Sequence, residues 1–209
     1  MRKGIIVNLK RFKLLDYVTQ NRIFIVLCVM FIVGVALGST VLSKNSWLAQ
    51  TIDTFFNNYV KLHNNGTFIK KLLSGFFGYL FILILYFLSG SSMLGVAVTP
   101  FITLWQGIFC GCISSQLYAA HGLSGIAFNA LILIPPTAIF TVCCFFAARN
   151  SINFSLLIAK LTLPRSKPAS LYVSFKDYCC KYLIFLIVSL LCAIIDIILN
   201  LLFIKFFNF

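Results

Sequence analysis

Residues 182–204 have the sequence YLIFLIVSLLCAIIDIILNLLFI, a long apolar run with a single acidic residue, Asp196. A helix needs about 20 apolar residues to cross the hydrocarbon core of a bilayer. This run is long enough to do so, and similar runs precede it. The sequence therefore predicts an all-α fold: a polytopic helical membrane protein with about five transmembrane helices, in which residues 1–209 form one integral membrane domain. The predicted spans are residues 23–42, 72–88, 93–115, 126–148 and 182–204.

The composition excludes most soluble classes of protein. Hydrophobic residues make up 61% of the 209 residues and charged residues only 10%, whereas an average soluble domain is about 45–50% apolar and about 25% charged. A soluble domain of this length could not bury so much apolar surface. We therefore exclude a soluble enzyme, a secreted disulfide scaffold and a disordered chain. The polar connections are also too short for a conventional catalytic domain outside the bilayer.

The basic residues predict the orientation of the chain. There are 17 Lys and Arg against 4 Asp and Glu, a formal charge of +13. Six of the 17 precede the first span, six lie between the fourth and fifth spans, and five lie on the opposite side of a five-span protein. Because Lys- and Arg-rich loops stay in the cytoplasm, we expect a multi-pass protein of the bacterial cytoplasmic membrane, with its N-terminus in the cytoplasm and its C-terminus outside. Its partners would include the lipid bilayer but no nucleic acid.

Motifs for catalysis, metal binding or cofactor binding are missing from the sequence. The eight cysteines lack the paired CxxC spacing of a zinc site, and cysteine inside apolar runs usually acts as a small buried hydrophobe. The two histidines, His63 and His121, lie outside the predicted spans. No phosphate-binding, hydrolase or metalloprotease motif is present. We therefore expect a protein that is not an enzyme and has no cofactor.

The connection from Ser43 to Lys71 has the pattern of a short amphipathic helix outside the membrane. Its apolar residues recur at helical spacing, with Asp53 and Lys61 among the polar residues that alternate with them. Two interpretations remain open: this helix lies in the head-group plane of the membrane, or it receives a helix or loop of a partner protein. The apolar residues are Leu48, Ile52, Phe55, Phe56, Tyr59 and Val60.

Small residues recur four apart in three of the predicted spans. This spacing makes a flat helix face, on which another backbone can approach closely in a membrane. The flat faces are interpreted as packing surfaces, either within this chain or against another membrane protein. The pairs are Gly34 and Gly38 in the first span, Ser74 and Gly78 in the second, and Gly107 and Gly111 in the third, where Ser115 extends the pattern.

Proline residues interrupt the fourth predicted span. Pro135 and Pro136 each lack a backbone donor and clash with the preceding turn, so the pair is expected to break that helix and to free carbonyl groups within the membrane. Such carbonyl groups are tolerated inside protein or along a wet cavity, and broken helices line the substrate sites of many transporters. A kink that only shapes the bundle is the other interpretation.

Asp196 is the only acidic residue inside a predicted span, and Asn200 lies one turn later on the same helix face. A carboxyl group at membrane depth is a candidate for function. A protonated carboxyl that is hydrogen-bonded to a neighbouring helix is the structural alternative. Both residues are therefore candidates for a functional site or a partner contact.

Most of the chain, about residues 20–205, resembles a known family. Residues 104–111, LWQGIFCG, are followed by HGLSG at 121–125 and LILIP at 131–135. These residues resemble the stage II sporulation protein M family. That family has a glycine-spaced span, then a short loop ending in Gly-x-x-Gly, then an apolar span with a Leu/Ile-Pro motif. The glycine-spaced first span fits the family's opening helix. One departure is that the family commonly has Gln-Asn after the proline, where this chain has Pro136-Thr137.

The resemblance implies a function. Members of the family lie in the mother-cell membrane at the sporulation septum of endospore-forming bacteria. They act as scaffolds that assemble and localise two peptidoglycan hydrolases, stage II sporulation proteins D and P, for septal wall degradation and engulfment. The expectation from the resemblance is therefore a non-catalytic membrane scaffold. The alternative is a subunit of a membrane transporter or channel with a proline-broken helix near Asp196.

Overall fold

The computed structural model describes residues 22–44, 50–55, 58–59, 67–161 and 171–203, and these residues contain no β-strand. The predicted all-α fold is confirmed. Within these ranges four helical stretches are long and apolar enough to cross a membrane, and one of them, Gly95–Lys160, is 66 residues long. The helices are α1 Arg22–Lys44, α2 Phe68–Gly90, α3 Gly95–Phe128, α4 Ile134–Leu161 and α5 Leu171–Phe203, with a π-helical turn at Asn129–Leu133 between α3 and α4.

The longest stretch folds back on itself near Gly122. This glycine has φ 54° and ψ −128°, a left-handed conformation that L-residues with a side chain rarely adopt. Beyond Gly122 the chain runs back along the bundle. A hydrogen bond shows this: the Ser155 hydroxyl, near the end of α4, donates to the Ser92 carbonyl, just before α3, at 2.7 Å. The part of α3 before Gly122 is therefore antiparallel to α4. We call the two ends of the bundle the Gly122 end and the Ser92 end.

The proline pair does not break its helix, which corrects the expectation from the sequence. The preceding residues form a widened turn, in which the Ile134 N–H donates to the Asn129 carbonyl five residues earlier. Pro135 and Pro136 then fall in the first turn of α4, where missing N–H groups cost little. The Thr137 hydroxyl donates to the Leu133 carbonyl at 2.6 Å. The chain therefore stays helical through the proline pair, by way of a π-helical turn.

A core of rings and hydroxyl groups fills the bundle towards the Ser92 end. The Tyr86 hydroxyl lies 3.0 Å from the Thr103 hydroxyl, and the Ser151 hydroxyl donates to the Tyr86 carbonyl at 2.7 Å. The rings of Phe154 and Tyr178 stack with their centroids 4.4 Å apart. Hydroxyl groups that bond across helices satisfy one another without water, which a bundle in lipid requires.

Ser151→Ala is expected to lower the free energy of unfolding by about 1–2 kcal/mol, the cost of losing a buried hydrogen bond. The Ser151 hydroxyl is fully buried and bonds Tyr86 and the Tyr182 hydroxyl. Ser39→Ala is the matched control, because the Ser39 hydroxyl bonds only its own helix, at Ala36. Thermal unfolding in detergent measures both variants. Equal stability of the two variants would contradict a structural role for Ser151.

Candidate functional site

The small residues of α1 and α3 form a close crossing of two helices. A methyl group placed on Gly34 would lie 3.1 Å from the Gly107 Cα and would collide with the Leu104 carbonyl oxygen. One placed on Gly111 would lie 3.0 Å from the Val35 Cα. The two helices are parallel and meet backbone to backbone, so these glycines serve packing within the chain.

The small pair of α2 has a different position. Ser74 and Gly78 are exposed, and a methyl group placed on Gly78 would meet no atom within 4 Å in the described part of the chain. The same sequence pattern therefore faces outward on α2 and inward on α1 and α3. Among the described residues, none covers this α2 face at Gly78.

The connecting segment, by which we mean residues 50–55 and 58–59, is helical and lies against the Gly122 end of the bundle. The Gln116 side chain of α3 donates a hydrogen bond to the Asp53 carboxylate at 2.8 Å. Ile52 lies over α3, whereas the Phe55 ring is 69% exposed. Docking on its own bundle is an arrangement that the sequence alone did not suggest. Three other apolar residues of the predicted amphipathic helix lie outside the described residues: Leu48, Phe56 and Val60.

Asp196 accepts its hydrogen bonds from within the chain. The Tyr59 hydroxyl of the connecting segment donates to Asp196 Oδ1 at 2.8 Å. The Asn200 side-chain nitrogen donates to the Tyr59 hydroxyl at 2.5 Å and to the Asp196 backbone carbonyl at 2.9 Å. Asp196 is 6% exposed and Asn200 2% exposed. The carboxylate therefore fastens the connecting segment to α5.

The electrostatics keep the Tyr59 phenol protonated. Burial of its hydroxyl end is the larger effect and the negative charge of Asp196 the second, and both raise the pKa of Tyr59 well above its usual value, while the hydrogen bond from Asn200 lowers it. A protonated phenol can donate a hydrogen bond to the Asp196 carboxyl group. The arrangement suits attachment between segments.

A shallow cleft lies between the connecting segment and α3, and Asp196 is not among the residues that line it. The described residues include no cluster of three or more metal-ligating side chains. The cleft brings Asp53 and His121 to one place, which the sequence did not predict because they are far apart in the chain. Its lining residues are Ile52, Asp53, Ile113, Gln116, Leu117, Ala120 and His121.

The comparison with protein families agrees with the sequence motifs. A family model described as Stage II sporulation protein M matches residues 25–196. The chain belongs to the stage II sporulation protein M family. No curated protein and no solved structure matches it.

Membership in the stage II sporulation protein M family makes this chain a sporulation-related membrane protein. The matched residues include the glycine crossing of α1 and α3, the Gly122 bend and the π-helical turn. They end at Asp196, so Asn200 lies just beyond the match. The resemblance inferred from the sequence is confirmed.

Proposed function

We propose that this protein is a non-catalytic membrane scaffold that assembles and localises the peptidoglycan hydrolases stage II sporulation proteins D and P. The observation that carries the proposal is the docked connecting segment. Asp53 accepts a hydrogen bond from Gln116 and Tyr59 donates one to Asp196, and these two contacts hold the segment on the bundle. Phe55 points outward with 69% of its surface exposed. A fixed segment with an exposed aromatic side chain is suited to binding another protein.

The orientation predicted from the basic residues places this surface where the hydrolases work. With the N-terminus in the cytoplasm, the Gly122 end and the connecting segment face outward, towards the peptidoglycan. The proposed location is the mother-cell membrane at the sporulation septum, where septal wall is degraded during engulfment. Hydrolases anchored beside the membrane would then reach Phe55.

Co-purification of the hydrolases from sporulating cells tests the proposal. Phe55→Ala is expected to reduce hydrolase recovery at least about tenfold, because an exposed aromatic anchor that enters an interface typically contributes 2 kcal/mol or more. Leu94→Ala is the matched control, since Leu94 is 72% exposed at the Ser92 end. It should leave recovery unchanged. If the unsubstituted chain recovers no hydrolase, the scaffold proposal is wrong. If the Phe55→Ala chain recovers as much hydrolase as the unsubstituted chain, the binding surface lies elsewhere.

A transporter or channel subunit, the alternative from the sequence, is not proposed. That alternative depended on a broken helix near Asp196, and α4 instead continues through a π-helical turn. The Asp196 carboxylate bonds Tyr59 and does not line the cleft. The alternative can be tested directly by measuring ion or solute flux in vesicles that contain the purified chain. Sustained flux would support a transporter or channel.

A further inference from the structure

We propose that the connecting segment docks reversibly on the Gly122 end, and that the Tyr59–Asp196 hydrogen bond holds it in the docked state. The segment lies between α1 and α2 in the sequence and contacts α3 through Gln116 and α5 through Asp196. Its release would change the surface of that end of the bundle without separating the five helices. The inference does not depend on hydrolase binding.

The first reason is that the segment lies on the bundle and not inside it. Each of its described residues is exposed or half-buried, and none is buried. By contrast, α5 has fully buried residues such as Ser189 and Cys192. Segments with few buried apolar contacts open at lower free energy than the core of the same protein. The connecting segment can therefore open while the bundle stays folded.

The second reason is that the docked state leaves a polar group unsatisfied. The Asn200 side-chain oxygen is buried and has no hydrogen-bond partner among the described residues, although the nitrogen of the same amide bonds Tyr59 and Asp196. A buried acceptor without a donor lowers the stability of the state that buries it. Release of the segment would let water reach this oxygen, which reduces the difference in free energy between the two states.

The third reason is that polar contacts hold the segment at two points, Asp53 and Tyr59. The shallow cleft lies under Ile52 and Asp53, between the segment and α3. The polar contacts at Asp53 and Tyr59 therefore provide much of the attachment, and the loss of one of them should shift the equilibrium towards release.

Release would uncover groups that the docked state conceals. Tyr59 packs on a small apolar cluster of Leu117, Phe128 and Ile132, which are at most 3% exposed. It also lies against Asp196 and Asn200. The Gly122 end thus has two alternative surfaces: one that presents Phe55 in a fixed position, and one that presents a carboxylate beside an apolar patch.

Cysteine labelling of the purified full chain in detergent tests the inference. Ile52→Cys places a thiol at the cleft, under the segment, and Thr54→Cys places one on its exposed side. A polar maleimide is added, and the labelling of each peptide is followed by mass spectrometry. We expect the thiol at position 52 to react at least about tenfold more slowly than the thiol at 54. Tyr59→Phe, which removes only the hydroxyl, should raise the rate at 52 about tenfold and leave the rate at 54 unchanged.

The native Cys144, which is fully buried, reports on the rest of the fold in the same samples. It should remain unlabelled in every variant, and its labelling in the Tyr59→Phe chain would mean general unfolding and overturn local release. Equal rates at positions 52 and 54 in the unsubstituted background would mean that the segment is not docked. A rate at position 52 that Tyr59→Phe does not change would show that the hydroxyl does not hold the segment. Either result overturns the inference.

Discussion

Gly107→Leu is expected to destabilise the bundle by about 3 kcal/mol, at the upper end of the usual cost of overpacking. A side chain at this position would lie against backbone: a methyl group there would be 3.1 Å from the Gly34 Cα and would collide with the Phe31 carbonyl oxygen. Backbone atoms of two parallel helices cannot move aside as a flexible side chain can. The helices must separate, and the close packing that holds them together in lipid is lost.

Gly78→Leu is the matched control for this prediction. It makes the same change in side-chain volume and helix propensity in a transmembrane helix, but a methyl group on Gly78 meets no atom of the described residues within 4 Å. Its stability should stay within about 0.5 kcal/mol of the parent chain. Thermal unfolding and size-exclusion chromatography in detergent measure both variants. Equal losses in the two would mean that the crossing of α1 and α3 contributes no special packing.

Asp196→Leu is expected to lower stability by about 3 kcal/mol and Asp196→Asn by about 1 kcal/mol. Leucine leaves the Tyr59 hydroxyl without its acceptor and removes one partner of the Asn200 amide. Asparagine keeps a carbonyl oxygen that can accept the hydrogen bond from Tyr59. Both hydrolase recovery and thermal unfolding should follow this order.

A double-mutant cycle identifies the contact responsible. If Asp196 acts through Tyr59, Tyr59→Phe should cost about 1–2 kcal/mol in the parent chain but much less in the Asp196→Leu chain, because its acceptor is already gone. Additive losses would show that the two residues act independently. Wild-type stability and hydrolase recovery of both Asp196 variants would refute any role for this carboxyl group.

The sequence alone was sufficient to predict the class of protein and its family. Apolar runs of spanning length follow from local composition, and a helix in lipid satisfies its backbone whatever its neighbours are. The motifs at residues 104–111, 121–125 and 131–135 indicated the family that the comparison then showed. The candidate residues Asp196 and Asn200 were also visible in the sequence, because polar groups are rare in apolar runs.

The sequence did not determine what those residues contact. Tyr59 and Asp196 are 137 positions apart, and Tyr59 was grouped with the apolar residues of an external helix. The proline pair suggested a break because the rule for proline is local. The structure instead has a π-helical turn at Asn129–Leu133, and the helical stretch continues through both prolines.

The limit of the sequence is clearest for the small residues, which lie four apart on both α1 and α2. Gly34 and Gly38 lie against another backbone, whereas Ser74 and Gly78 face outward. In a soluble helix the polar face shows which side is exposed, but a transmembrane helix is apolar on every side, since both lipid and protein neighbours accept apolar groups. The sequence thus determined that these segments are membrane helices with flat faces. Only the tertiary structure decided which faces pack together, because that choice depends on the fit of distant backbones.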